Sequence, residues 1–296
     1  MAIKPYLQLV RLPNIFTAAA DSLAGWLLVQ GTFSEPGKWL PLVLASAFTY
    51  AGGIVLNDLF DLEVDRLERP SRPLPSGQVP RRVALALALT FLSAGVLLVA
   101  ISGTWQGLIV ELALIGCILA YDGGAKRSAI GPEVMGACRG LNLLLGMSHA
   151  ARLGGPLGWA IALSYATFVM GVTWISRSEV HTGRWKAIAL GFSLQMAAFL
   201  GLIAGATLLS GPIDPEIRVL GVFLLVMIAL AVSRRSLFAL RDPSPKVIQG
   251  AIKFAILSLV WLHVGVLLAV RGPVEAIAVG LFWLPATFTG RWIYST

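Results

Sequence analysis

Charge is scarce in this 296-residue chain: 13% of its residues are Asp, Glu, Lys or Arg, where a soluble domain carries about a quarter. With a hydrophobic share of 57% and a mean hydropathy of +0.80, this excludes a soluble globular domain, because that much apolar surface cannot be hidden in one water-facing core. Cysteine is nearly absent. Cys117 and Cys138 are the only two; without metal-ligand spacing they read as packing residues rather than a disulfide framework. Aspartate occurs at only seven positions, 21, 58, 61, 65, 122, 214 and 242, so acid-dependent chemistry has few places to reside. The sequence also lacks a short-period repeat, a low-complexity tract and a composition break, which predicts one helical membrane domain over residues 1–296.

What the chain has instead is long apolar runs. They predict helices near 14–31, 38–58, 83–102, 105–121, 134–150, 157–177, 186–209, 218–233 and 248–270, with a tenth at 274–289; most approach the roughly 20 residues needed to cross hydrocarbon. The first run contains Asp21 and is followed by many more, so it is expected to be a membrane helix rather than a cleaved signal. The expected fold class is therefore an all-α polytopic membrane bundle. A net charge of +8 would point to nucleic acid in a soluble protein, but here the cations must first be placed against the bilayer. Alternate connections, near 59–82, 122–133, 178–185 and 234–247, are longer and polar. Their side carries 18 Lys and Arg, against Lys38, Arg152, Arg218 and Arg271 on the other. The positive-inside rule makes the long loops cytoplasmic, with no nucleic-acid partner.

One polar cluster closes the second span. On a continuous helix, Asn57, Asp58, Asp61 and Asp65 fall within an arc of roughly 100°, while Glu63 points away. Three carboxylates on one face repel one another unless a cation neutralises them. A few hard oxygen ligands suit Mg²⁺, which completes its shell with water and substrate phosphates. The loop beyond, residues 66–77, sets Arg66, Arg69 and Arg72 on a proline-stiffened segment, where guanidinium forks can clamp a diphosphate. The pattern reads as a magnesium-diphosphate site at the bilayer surface.

The run from Asn57 to Asp65, followed by Arg-Pro-Ser-Arg-Pro-Leu-Pro-Ser-Gly from Arg69 to Gly77, resembles the first aspartate-rich motif of the UbiA superfamily of intramembrane prenyltransferases. Further landmarks follow in the family's order: Arg11-Leu12-Pro13-Asn14, Lys126-Arg127 after Tyr121, and Gly136 to Asn142 with Gly146. The resemblance implies about nine spans around a central cavity, and Mg²⁺-dependent transfer of an isoprenyl group from its diphosphate to a small acceptor within the lipid bilayer. It further implies that Asn57, Asp58 and Asp61 hold the metal with Asp65 in support. Lys126, Arg127, Arg139 and, within the same motif, Asn142 would meet the substrate.

The family's second motif, two aspartates at i and i+4, is missing. Ser176 and Val180 stand at the aligned positions, and Glu179 is the sole carboxylate there. Three readings remain: Glu179 ligates a second metal, Arg177 and His181 contact the diphosphate directly, or catalysis is lost and a lipid-diphosphate-binding or transport protein remains. The form Ser-Arg-x-Glu-Val-His-x-Gly resembles the branch called EboC-like, whose acceptor, aromatic or a cyclic alcohol, no motif settles. A phosphotransferase of nucleotide-activated alcohols is set aside for want of its DG and AR signature. An ion-coupled transporter would show paired broken helices near the bilayer centre.

Overall fold

Proline and glycine punctuate the chain into helices. In the computed structural model, which describes residues 3–177, 185–208, 211 and 213–293, the elements are α1 (Lys4–Leu9), α2 (Leu12–Gln30), α3 (Pro36–Phe60), α4 (Leu62–Glu68), α5 (Arg81–Ser102), α6 (Trp105–Gly123), α7 (Gly131–Gly146), α8 (Gly155–Ser176), α9 (Trp185–Leu208), α10 (Pro215–Arg241), α11 (Pro245–Val270), α12 (Pro273–Gly280) and α13 (Trp283–Trp292). A 3-10 turn, Ala125–Arg127, joins α6 to α7. The first turns of α2, α3, α7, α8, α10, α11 and α12 each hold a proline. There the missing N–H has no helical partner to lose. Thr104 and Asp214 cap α6 and α10 by accepting from Gly107 N and Glu216 N, as N-cap side chains do.

Nine helical stretches among the described residues are long and apolar enough to cross a membrane, with α12 and α13 together forming the last, Pro273–Trp292. The run expected at 274–289 is thus present, interrupted between Gly280 and Trp283. The run expected at 134–150 is α7, whose 16 residues rise about 24 Å at 1.5 Å per residue, short of the roughly 30 Å of hydrocarbon. It is not one of the nine. Helix α10 continues past the expected 233 to Arg241, because hydropathy marks the end of the apolar layer, whereas the helix stops before Pro243, which disfavours helical backbone in the residue ahead of it.

The helix α2 lies at the centre, touching α3, α7, α8, α11 and α13, and every residue from Thr17 to Leu28 is buried. Small residues allow this. A Cβ on Gly146 would overlap the Ser22 carbonyl, and one on Gly25 the Leu143 carbonyl, so α2 and α7 pack backbone against backbone. That approach brings Asp21 beside the inward face of α7. Outward faces carry Leu89, Leu97, Leu200 and Phe223, all more than half exposed, as lipid-facing surfaces require. Trp105, Trp185 and Trp292 are exposed in keeping with interfacial anchors, but Trp26 is fully buried and its Nε1 donates to Thr32 O at 2.7 Å. It is a core residue.

Candidate active site

A cavity of about 750 Å³ is lined by α3, α4, the 3-10 turn, α6 and α7. The helix carrying the acids does not run through unbroken. It stops at Phe60, turns at Asp61 and restarts as α4, while Asp61 N still reaches Asn57 O (3.0 Å) and Asp65 N reaches Asp61 O (2.8 Å). Asn57, Asp61 and Asp65 line the cavity. Asp58 does not share that face: it is 4% exposed, and Arg11 Nη2 and Arg72 Nη1 lie 3.1 and 3.7 Å from its Oδ1. Two guanidiniums have drawn it into the wall, where a continuous-helix arc grouped it with the others. Arg11 does this from φ 48, the one positive φ among described non-glycine residues, a left-handed conformation that costs of order 1–3 kcal/mol.

Cations meet the other acids too. Arg72 Nη1 lies 2.7 Å from Asp65 Oδ2, and Lys126 Nζ lies 2.7 Å from Asp61 Oδ1 and 3.6 Å from Asp122 Oδ1. Arg127, two-thirds exposed, stands 3.8 Å from Asp61 Oδ1. The mutual repulsion expected to demand a metal is therefore relieved by side chains, and among the described residues no three His, Cys, Asp or Glu form a ready cage. Hard oxygens remain available nonetheless. Asp61 and Asp122 spend Oδ1 on Lys126, and Asn57 engages Asp122 through Nδ2 at 2.6 Å. Two carboxylates and an amide oxygen at a polar mouth fit Mg²⁺, which keeps most of its shell for water and phosphate.

A second polar station lies at Arg139 and Asn142, which also line the cavity. Arg139 Nη1 donates to Asp21 Oδ2 at 2.6 Å and Nη2 to Thr17 Oγ1 at 3.1 Å, with the guanidinium 5.2 Å above the Tyr50 ring. Asp21 itself is wholly buried. It also accepts from Asn142 Nδ2 (3.1 Å) and Tyr165 OH (2.6 Å) and meets His263 Nε2 (2.9 Å). Four side chains from α7, α8 and α11 thus converge on one α2 carboxylate, the only arrangement in which so buried an acid is affordable.

The remaining expected residues divide. Arg66 pairs with Glu63 at 2.8 Å on the exposed face of α4 and lies outside the cavity lining, which takes Val64, Asp65 and Glu68 from the other side of that helix. Arg177 donates to the carbonyls of Lys126 (3.1 Å) and Ser128 and lies over Trp174; it pins the turn bearing Lys126. Glu179 and His181 lie outside the described residues. Sequence reasoning gave no site role to Asp122, Tyr50 or Tyr165, and read Asp21 as an acid within the first membrane helix. Two signals were present: an acid alone inside an apolar run, which is functional by default, and an aspartate four residues before Lys126 at a helix end.

The sequence profile of the UbiA prenyltransferase family matches residues 19–255. The digeranylgeranylglyceryl phosphate synthase of Metallosphaera sedula is 34% identical over 145 residues, 49% of this chain and 51% of that one. The enzyme of the same name from Sulfolobus acidocaldarius is 33% identical over 132 residues, 44% and 46% of the two chains. The chain thus spans about half the length of the curated relatives it matches. Among solved structures, a UbiA homologue from Aeropyrum pernix K1 superposes with a TM-score of 0.66 at 18% identity, covering 86% of this chain and 96% of that one. A UbiA homologue from Archaeoglobus fulgidus bound to GPP and Mg²⁺ gives 0.63 at 15% identity, covering 88% and 99%. These likenesses establish the fold.

Proposed function

Because the chain belongs to the UbiA prenyltransferase family, we propose that it transfers an isoprenyl group from an isoprenyl diphosphate to a small acceptor within the membrane, using Mg²⁺. The observation that carries this is the cavity's division. Asn57, Asp61, Asp122 and Lys126 meet where α3 and α6 end, while the preceding turns of those helices give Gly53, Ile54, Leu114 and Ile118 to the wall, with Arg139 and Asn142 as a second polar point. A diphosphate head with an apolar tail matches that gradient.

Asn57 and Asp61 would hold the cation, with Asp65 supporting them from its pair with Arg72 and Asp58 anchoring Arg11 and Arg72 behind. When bound, Mg²⁺ takes up charge that develops on the leaving diphosphate. Lys126, Arg127 and Arg139 present N–H donors to the same oxygens as the C1–O bond breaks, where preorganised charge acts most strongly. The apolar wall keeps water from the allylic cation until the acceptor attacks C1. The acceptor's proton then leaves with the diphosphate. The long loops and this site face the cytoplasm by the charge asymmetry. The matched relatives bear a name that joins geranylgeranyl groups to glyceryl phosphate, which favours an acceptor hydroxyl over an aromatic carbon.

Incubation of purified protein with Mg²⁺ and radiolabelled geranylgeranyl diphosphate tests the proposal. Diphosphate should be released, and Asp61→Ala should lower the rate by at least about a hundredfold, as loss of one preorganised stabilising group does. Tight donor binding with no release from the unaltered protein would assign the chain to binding or transport instead.

A further inference from the structure

Facing Asn57 and Asp61, the end of α6 provides a further oxygen-bearing side chain. Asp122 ends that helix, is 6% exposed and lines the cavity. Asn57 Nδ2 donates to its Oδ1 at 2.6 Å across 65 residues of sequence. Lys126 Nζ bridges Asp61 Oδ1 at 2.7 Å and Asp122 Oδ1 at 3.6 Å. A buried carboxylate at the end of α6 and a partly exposed one at the α3–α4 turn are thus brought together around one positive charge, which offsets their repulsion. Among the described residues, no other carboxylate from beyond α4 lines this mouth.

We propose that Asp122 is a metal-binding residue of this site. Together with Asn57 and Asp61 it supplies the oxygen seat for the divalent cation. The Lys126 ammonium occupies the charge position in the absence of metal and swings to the diphosphate oxygens when the cation arrives. Three protein oxygens leave room for water and diphosphate in an octahedral shell. This inference rests on the diphosphate reading above, and it fails separately from it.

The test uses the full chain in detergent with Mn²⁺ alone as probe, free Mn²⁺ being counted by electron paramagnetic resonance. Asp122→Asn keeps the shape of the side chain and should weaken Mn²⁺ binding by about tenfold or more, the scale on which even supporting groups around a metal count. Glu63→Gln, on the exposed face of α4 and outside the cavity lining, should change it by less than about threefold on that scale. Asp122→Cys places a soft thiolate in the seat and should move the preference from Mn²⁺ towards Cd²⁺ by about tenfold or more. Should Asp122→Asn fail to fold, the cysteine variant decides alone. Equal Mn²⁺ affinity in Asp122→Asn and the unaltered protein, or no gain of Cd²⁺ preference in Asp122→Cys, overturns the assignment. An unaltered protein that binds Mn²⁺ through Asp122 yet never releases diphosphate would uphold the assignment and overturn the transferase reading.

Discussion

Removing the Asp21 carboxylate should be among the costliest single substitutions at the cavity. The acid is wholly buried and receives Arg139, Asn142, Tyr165 and His263 within 3.1 Å, so Asp21→Ala leaves a buried guanidinium and three polar groups without their common partner. Breaking a buried ion pair from one side costs about 3–5 kcal/mol. At roughly 2–4 °C per kcal/mol for a chain approaching this size, the midpoint of thermal unfolding should fall by about 10 °C. The informative measurement is a double-mutant cycle in detergent with Asp21→Asn and Arg139→Gln. If the cost comes from the orphaned charge, neutralising both partners should lose less than the two single losses combined, by on the order of 2 kcal/mol. Losses that simply add, to within about 0.5 kcal/mol, would show that the two side chains act independently and would refute the account of α2 as the anchor of Arg139.

Arg66 and Arg72 should behave oppositely. Arg66→Ala breaks an exposed pair with Glu63 and should change stability by less than about 1 kcal/mol, whereas Arg72→Leu strands buried Asp58 and Asp65 and should cost about 3 kcal/mol or more; thermal unfolding compares them. Arg177→Gln should raise KM for the diphosphate donor severalfold more than it lowers kcat, because it frees the turn bearing Lys126 without touching the reacting atoms; an unchanged KM in steady-state kinetics would refute the pinning role. Burial, with Lys38 nearby, holds the His149 imidazole below its usual 6.5. The folded state therefore resists protonation that the unfolded chain accepts, so stability is full above pH 6.5 and declines as pH falls below it. In His149→Gln this part of the acid decline should disappear from the melting profile, with activity at neutral pH unaltered.

The arginine contrast shows where local pattern runs out. Arg66 and Arg72 stand in one polar stretch of sequence, and nothing in the residues between them foretells that Arg72 is buried against two acids while Arg66 lies exposed on α4. Their fates depend on which acids the folded chain sets beside them, exposed Glu63 for Arg66 and buried Asp58 and Asp65 for Arg72. Arg11 and Arg72 likewise hold Asp58 in the wall while Asn57, Asp61 and Asp65 line the cavity, a division that helix periodicity does not carry. Asp122 was visible as one of few aspartates, but its nearness to Asn57 was not.

What the sequence alone determined is what sums locally: apolar runs of spanning length, prolines and caps that start them, and the acids at the end of the second span. Hydropathy and helix periodicity are properties of neighbouring residues, so they survive without knowledge of the fold. Tertiary structure decided which charges meet. Asp21 finds Arg139 from 118 residues away because Gly25 and Gly146 let α2 and α7 touch along their backbones, and Asn57 finds Asp122 because α3 and α6 end side by side. Such pairings depend on the rotation and closeness of whole helices, which no single stretch of chain encodes.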